Sequence, residues 1–372
     1  MGVRGDRAKP GEPADRAVAV SAFKVALGHP SDVSGVLALL EQGAFAADDV
    51  VAVTGKTEGT AERDDRTRQE ADRALRAVLS ERGSRSEAEI GAIPMVFSSG
   101  AVGLLEPNAV IYVRRPCAPA DPSESSLVIG TAQTPAIREP DIGRLPMLLA
   151  VSRAVEAAAD GAGLAANDAR YVLTKSRMPE LDHGADGVGP EDMAWVRRTS
   201  GAAALGVGVA VGELALPDDR DIGSNPALWT SRASTSTGHE NAETQVILFG
   251  NKPGVGGTLR VGRAVMADVL DVQALNRAIQ DAGVDVPASH IPEAVRARVV
   301  ALYVKIGTPE GTLRGHRQVR DDVNPHYDVQ VKATVGGIFA AAVGDPAIYI
   351  SGGAVHQAPV GGGSVAVIVD KA

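Results

Sequence analysis

A lysine at the end of a β-type run occurs three times in this chain, and each time a second apolar run ending in Ser-x-Gly follows it. A serine hydroxyl becomes a nucleophile when a neighbouring base removes its proton, and a neutral lysine amine can act as that base. The recurrence of both residues in the same order predicts one chemical unit used three times. The three pairs are Lys56 with Ser98, Lys175 with Ser236, and Lys305 with Ser351.

An amine acts as a base only after it has lost its charge, and burial and neighbouring cations both lower the pKa of a lysine. If three units meet around a pseudo-threefold axis, the three lysines converge and each disfavours protonation of the others. The serine hydroxyls and the amides of the glycine turns would then donate hydrogen bonds to carbonyl oxygens of a ligand. Taken singly, a lysine that ends a strand is usually solvated, and a serine before glycine is usually a turn residue. The joint recurrence favours catalysis.

The elements that must position these pairs repeat as well. A β-type run and then a helical pattern precede each lysine strand, and another β-type run follows each Ser-x-Gly. The helical patterns end at Gly43, Gly161 and Gly283, where a C-cap needs positive φ. The sequence therefore predicts an α/β protein of three structurally similar units. These units are expected at residues 17–115, 125–252 and 258–372, after a leader of residues 1–16.

Composition narrows the classes of function. The chain has 372 residues, of which 44% are hydrophobic and only 3% aromatic, so small aliphatic side chains must fill the core. A net charge of −9 without a basic, aromatic-rich run argues against a nucleic-acid partner. No stretch reaches the roughly 18 apolar residues of a membrane span. The leader lacks a signal core, and the single cysteine, Cys117, excludes an intrachain disulfide framework. These features predict a disordered leader and a cytoplasmic protein.

Clusters of turn-forming residues predict linkers at 114–126 and 250–257, between the units. The acidic, glycine-rich segment 177–193 is expected to be a surface loop inserted into the second unit.

The chain resembles, over nearly its whole length, the ring-opening cyclic amide hydrolases that include cyanuric acid amidohydrolase and barbiturase. The resemblance is carried by VVAVTGKTEG at 50–59, DDRTR at 64–68, MVFSSGAVGLLEPNAVIYVRRP at 95–116 and IYISGGAVHQAPVGGGSVAVI at 348–368. It implies three similar α/β units around a pseudo-threefold axis, the Toblerone fold, assembled as a homotetramer. It also implies that water opens one C–N bond of a small six-membered cyclic amide or imide.

The resemblance also implies roles for individual residues. Ser236 would attack a ring carbonyl after Lys175 takes its proton, and the other two pairs would hold the remaining carbonyls. The implied substrate-binding residues are Lys56, Arg68, Ser98, Ser99, Ser200, Thr237, Lys305, Lys332, Ser351 and Gly352.

The chain departs from the family pattern at two of three arginines that the family places against the substrate. Arg68 keeps the first, whereas Ser200 and Lys332 stand at the other two positions. Serine lacks the planar fork of a guanidinium, and lysine presents only a point charge. Part of the symmetric clamp for cyanuric acid would be lost, which favours a barbiturate-like ring or another substituted cyclic imide, unless Arg197 or Arg198 reaches in from a neighbouring turn.

No cofactor or metal is expected to be required for catalysis. The resemblance implies a structural cation near the loop 354–363, with help from a glutamate at the position that Gly307 occupies here. Backbone oxygens of this loop could bind Na⁺ or Mg²⁺ weakly, but the loss of the carboxylate predicts an empty site. His239 and His356 lack zinc-ligand spacing and are expected to be loop residues.

Two other functions fit the same residues. One is the reverse reaction, cyclisation of a linear ureide or amide, because the same groups stabilise the same tetrahedral transition state. The other is a ligand-binding relative without turnover, which the presence of all three lysines and all three serines disfavours.

Overall fold

Three four-stranded sheets, each with its own helices, form the core of the protein. The structure is a computed structural model that describes residues 18–59, 65–118, 120–179, 190–309, 311–319 and 327–372. The expected leader 1–16 lies outside the described residues, as does most of the expected loop 177–193.

The three units use their elements in a similar order. The first contains β1 (Val18–Ala26), α1 (Ser34–Glu41), β2 (Val50–Lys56), α2 (Thr67–Arg82), α3 (Glu87–Gly91), β3 (Met95–Ser98) and β4 (Asn108–Pro116). The second contains β5 (Ser125–Gln133), α4 (Leu145–Ala162), β6 (Tyr171–Arg177), α5 (Pro190–Ala210), β7 (Ala233–Gly238) and β8 (Gln245–Pro253). The third contains β9 (Leu259–Met266), α6 (Gln273–Asp281), α7 (Glu293–Arg296), β10 (Val299–Ile306), β11 (Thr312–Leu313), β12 (His316–Arg317), α8 (Tyr327–Val343), β13 (Tyr349–Ser351) and β14 (Gly363–Asp370).

Strand order is the same in all three sheets: β1-β4-β2-β3, β5-β8-β6-β7 and β9-β14-β10-β13. In each sheet the lysine strand and the serine strand run parallel, and every other neighbouring pair is antiparallel. The repeat predicted from the sequence is therefore a repeat of topology.

Each sheet is buried on both faces. In β2, Ala52 faces a cluster shared by all three sheets, and its neighbour Val53 faces the helices of its own unit, as strand alternation requires. The shared cluster lies along the pseudo-threefold axis. It contains four of the five tyrosines of the chain and one phenylalanine, namely Tyr112, Tyr171, Tyr303, Tyr349 and Phe249.

Helices approach the sheets most closely at glycines in two of the units. A Cβ at Gly130 would lie 1.8 Å from the carbonyl oxygen of Ala158 in α4, and one at Gly262 would lie 2.0 Å from that of Ala278 in α6. The equivalent position in the first sheet is Phe23, whose ring packs 5.1 Å from that of Phe45. Helix α1 of this unit has 8 residues, whereas α4 has 18.

Some element boundaries differ from the expected ones. Helix α4 continues past Gly161 and ends at Gly163, which has the positive φ of 65°. Strands β4 and β8 take up part of both expected linkers, because they pair with β1 and β5 as far as Pro116 and Pro253. Helix α5 begins at Pro190, so the expected loop 177–193 is helical at its end.

Hydrogen bonds that backbone amides donate to side chains join the second unit to its neighbours. Gln245 accepts from the amide of Met95 at 3.0 Å, and Gln357 accepts from the amide of Thr235 at 2.7 Å. The ring of His356 accepts from the amide of Gly223 at 2.8 Å. Among the described helices, none is long and apolar enough to cross a bilayer.

Candidate active site

The three lysines lie inside the molecule, at the ends of the paired parallel strands. Their side chains are almost completely buried, with 0% exposure at Lys56 and 2% at both Lys175 and Lys305. Strand register places each lysine directly opposite its serine, so the pairs inferred from sequence order are neighbours in space. The register partners are Lys56 and Ser98, Lys175 and Ser236, and Lys305 and Ser351.

Two of the pairs are joined by a direct hydrogen bond. The amine of Lys56 lies 3.2 Å from the hydroxyl of Ser98, and the amine of Lys305 lies 3.1 Å from that of Ser351. The second pair is arranged differently, because the hydroxyl of Ser236 donates to the carbonyl of Thr174 at 3.3 Å. The Ser236 hydroxyl must therefore rotate before Lys175 can take its proton.

Lysines also reach across from one unit to the next. The amine of Lys175 donates to the carbonyl of Phe97, the residue before Ser98, at 3.3 Å. The amine of Lys305 donates to the carbonyl of Thr235, the residue before Ser236, at 2.7 Å. Since lysines of one sheet bind the serine strand of another, the three strand ends converge on one site.

Two further cations lie on one side of this site. Arg68, on α2, donates to the hydroxyl of Ser99 at 3.0 Å, and Lys332, on α8, points at the carbonyl of the same serine at 3.5 Å. Both residues are buried, with 8% and 7% exposure. Lys332 thus brings a positive charge into the site although it lacks the guanidinium fork.

The second unit offers a neutral residue at the corresponding place. Ser200 on α5 is buried, and its carbonyl accepts a hydrogen bond from the hydroxyl of Thr235 at 3.2 Å. The two arginines that could have supplied the missing cation have other surroundings in the structure. Arg198 forms an ion pair with Asp219 at 3.2 Å, and Arg197 is exposed.

Glu240 is a charged residue of the site that the sequence did not reveal. Its Oε2 lies 3.3 Å from the amine of Lys175, and its Oε1 accepts from the Nε of Arg68. The carboxylate is only 8% exposed. Glu240 lies four residues after Ser236 in the sequence. A single glutamate at such a position does not predict a functional role, because only the fold shows which groups it contacts.

Burial is the largest cause of the lowered pKa values of Lys56 and Lys175. It holds the pKa of Lys56 well below its usual range, with help from the positive charges of Lys332, Lys305, Arg68 and Lys175 in that order. Burial also lowers the pKa of Lys175, to about 8, while the negative charge of Glu240 opposes this shift. Of these two lysines, Lys56 is the one whose pKa is lowered by other lysines, whereas the repulsion was expected to create the base.

Two other expected substrate-binding residues lie next to these groups. The carbonyl of Thr237 accepts from the amine of Lys175 at 3.3 Å. Gly352 directly follows the serine strand β13.

The loop 354–363 is a poor fit for a cation. Two of its carbonyls already accept protein hydrogen bonds: that of His356 from the amide of Thr230, and that of Gly362 from the amide of Gly307. A Cβ at Gly307 would lie 2.9 Å from the carbonyl oxygen of Gly362, so the chain has no room there for a carboxylate side chain.

The described histidines and acids form no cluster that suggests another metal site. His239 is exposed, and His356 bonds the backbone of a neighbouring unit. Within the described ranges, no group of three or more histidine, cysteine, aspartate or glutamate side chains is arranged to hold a metal ion.

Comparison with known proteins gives consistent matches along the whole chain. A family model described as an amidohydrolase ring-opening protein matches residues 21–370. Barbiturase 1 of a Nocardioides species is 37% identical over 369 residues, covering 95% of this chain and 99% of that protein. A cyanuric acid amidohydrolase of Enterobacter cloacae is 34% identical over 372 residues, covering 94% of this chain and 99% of that protein.

A solved structure of a cyanuric acid hydrolase superposes with a TM-score of 0.85 at 29% identity, covering 95% of this chain and 100% of that chain. The three similar units around a pseudo-threefold axis form the Toblerone fold that the family resemblance implied. Fold, family model and relatives agree, and the chain belongs to the ring-opening amidohydrolase family.

Proposed function

We propose that this protein hydrolyses one ring C–N bond of a small six-membered cyclic amide or imide, with Ser236 as nucleophile and Lys175 as general base. The observation that carries the proposal is the convergence of three buried lysine and serine pairs on one site. A ring with several carbonyl groups matches such an arrangement, because each pair can bind one carbonyl oxygen.

The reaction would have two stages. In the first, the Lys175 amine takes the Ser236 proton, the serine oxygen bonds to a ring carbonyl carbon, and the C–N bond breaks as the lysine returns the proton to the leaving nitrogen. In the second, water attacks the acyl-serine ester and releases the ring-opened acid. Lys56, Lys305, Arg68 and Lys332 would stabilise negative charge on the ring oxygens.

Accessibility and charge favour the second pair over the other two. Ser236 is partly exposed, whereas Ser98 and Ser351 are buried at 8% and 5% exposure. Lys175, with a pKa lowered to about 8, can both accept and return a proton near neutral pH. Lys56, whose pKa lies well below its usual range, is suited to remain neutral and donate hydrogen bonds.

A barbiturate-type ring is the proposed substrate class. The cations Arg68 and Lys332 lie together beside Ser99, while the second unit has Ser200 at the matching position. An unequal clamp suits a ring whose edges differ better than the threefold symmetric cyanuric acid. The identity to a barbiturase, which slightly exceeds that to a cyanuric acid amidohydrolase, supports this choice.

The activity is tested by incubating the protein with barbituric acid, cyanuric acid, uracil and a hydantoin. We expect loss of the ring's ultraviolet absorbance with barbituric acid, together with a product heavier by one water in mass spectrometry. Silence on the whole panel would favour the cyclase or the binding protein, and those are then separated by offering linear ureides.

The nucleophile is tested by comparing Ser236→Ala with Ser98→Ala and Ser351→Ala. The first variant should lose all measurable turnover, and the other two should be slowed but active. Retention of more than about a tenth of the rate by Ser236→Ala, a barrier change below ~1.4 kcal/mol, would show that another serine attacks.

We further propose that the protein works in the cytoplasm as a homotetramer and needs no metal. The single cysteine fits a reducing compartment, and the hydrogen-bonded loop 354–363 supports the absence of a required cation. Size-exclusion chromatography with light scattering checks the assembly. Activity after exhaustive treatment with a chelator, in sodium-free buffer, should equal that of the untreated protein.

A further inference from the structure

The position four residues after each Ser-x-Gly serine breaks the pseudo-threefold symmetry of the site. It is Val102 in the first unit, Glu240 in the second and Val355 in the third. Two of the three lysine and serine pairs therefore have an aliphatic residue at this point, and only the pair of the second unit has a carboxylate.

The backbone of the second unit places this carboxylate against the lysine. In the first and third units the motif glycines, Gly100 and Gly353, have φ of 84° and 69° and turn the chain away. In the second unit β7 continues through Gly238. Glu240 folds back over that glycine so closely that a Cβ on Gly238 would lie 1.8 Å from its Oε2.

Each oxygen of the Glu240 carboxylate lies beside a cation. Oε2 lies 3.3 Å from the Lys175 amine, and Oε1 accepts from Arg68. A buried carboxylate that has lost its water is stable only when it is paired in this way. Glu240 therefore has a fixed position and remains ionised, its pKa lowered by the charges of Lys175 and Arg68 in spite of burial.

We propose, resting on the function proposed above, that Glu240 is a positioning residue that completes the Ser236–Lys175 pair as a third member. It holds the Lys175 amine and stabilises the ammonium that forms when the lysine takes the serine proton. The proton moves from Ser236 to Lys175 and then to the leaving ring nitrogen, while Glu240 stays ionised. A base oriented by a third group is the general logic of catalytic triads.

Other charged groups around Lys175 also affect its pKa. The positive charge of Arg68 lowers the pKa of Lys175, and the negative charge of Asp65 raises it. Lys56, Lys305 and Lys332 belong to the same cluster of cations. Among the described residues the neighbours of Lys175 are mostly positive, so removal of the carboxylate that contacts its amine makes the ammonium less stable.

The direct test measures the titration of Lys175 rather than turnover. Lysine ε-carbon NMR, with Lys175→Met to assign the signal, gives the midpoint in the wild type and in Glu240→Gln. We expect the midpoint to move down by at least about one pH unit in Glu240→Gln and to return most of the way in Glu240→Asp. An unchanged or raised midpoint in Glu240→Gln overturns the proposal, whatever the substrate proves to be.

Kinetics on the ring substrate provide the second readout. Because Lys175 must be neutral to act, kcat/KM rises with pH through its midpoint, and this rise should shift to lower pH in Glu240→Gln. The maximal kcat should fall by about tenfold to a hundredfold, because the ammonium has lost its partner, with KM changed by less than about threefold. A uniform loss at every pH without a shift would mean that Glu240 only supports the fold.

Glu213→Gln is the matched control. Glu213 is also a partly buried carboxylate, bonded to Thr230, Ser231 and Arg232 at the other end of β7. Its loss should leave the Lys175 midpoint in place. Failure of Ser236→Ala to abolish turnover would instead refute the proposed nucleophile while leaving the effect of Glu240 on Lys175 measurable.

Discussion

A lysine buried at 0% exposure is a liability for stability, because the amine must give up either its hydration or its proton when the chain folds. The pKa of Lys56 is lower in the folded protein than in the unfolded chain, so the unfolded chain binds more protons. The free energy of unfolding therefore rises with pH until the lysine of the unfolded chain titrates, at about 10.4. At neutral pH the burial of this amine therefore lowers the free energy of unfolding of the protein.

Lys56→Met should relieve that cost. Methionine fills a similar volume without an amine, so we expect the free energy of unfolding at pH 7 to increase by about 1–2 kcal/mol and ring opening to become slower. Urea unfolding at pH 7 and pH 9 measures the change, and the variant should gain less stability than the wild type between these two pH values. Lys252→Met, at a half-buried surface lysine, should change stability by less than about 0.5 kcal/mol.

Single residues were predictable where the sequence repeats them in three equivalent strands. The lysines and serines meet because strand order and register are the same in each sheet, and both follow from the repeat. Glu240 was not predictable, since its contact with Lys175 depends on the extended backbone at Gly238. The sequence left the direction of Arg198 open, because its partner Asp219 lies about one helix length away in sequence and only the fold brings them together.

At the scale of elements, the contact between helix α4 and strand β5 depends on the missing side chain of Gly130. The helix backbone at Ala158 occupies the space that a Cβ would need. Gly130→Ala should therefore destabilise the protein by about 2–3 kcal/mol, because α4 must move outward from the sheet. Thermal unfolding followed by circular dichroism measures the loss.

Gly161→Ala in the same helix should have the opposite sign. Its Cβ would meet no atom within 4 Å, and alanine is favoured over glycine inside a helix by about 0.5–1 kcal/mol. A destabilised Gly161→Ala, or a neutral Gly130→Ala, would contradict this account of the packing.

These two glycines also show where sequence patterns were ambiguous for elements. A helical pattern followed by glycine predicted an end at Gly161, but two later residues complete the last turn, and Gly163 takes the left-handed conformation. Gly161 and Gly163 both follow the helical pattern, and each could end the helix as its C-cap. Only the packing of α4 against the sheet selects between them, so the helix was predictable and its last turn was not.

For the whole molecule, the pseudo-threefold arrangement makes the joints between units as important as the units themselves. The third unit contacts the second through His356, whose neutral ring both bonds the carbonyl of Leu228 and accepts from the amide of Gly223. A protonated ring can no longer accept at Nε2. Burial lowers the pKa of His356, with Arg197 acting in the same direction and Asp221 against it.

The sign of the resulting pH dependence follows from this lowered pKa. At pH values between the pKa of folded His356 and that of the unfolded chain, about 6.5, the unfolded chain binds more protons. The stabilisation by the neutral ring is therefore complete above the unfolded pKa and declines as the pH falls below it. We expect the Tm to decrease between pH 7.5 and pH 5.5, and the slope to become shallower in His356→Asn, since asparagine tolerates the positive φ of 56° at this position. His290→Asn, at an exposed histidine, should keep the slope of the wild type. Equal slopes in all three proteins would show that this joint between units does not respond to protons.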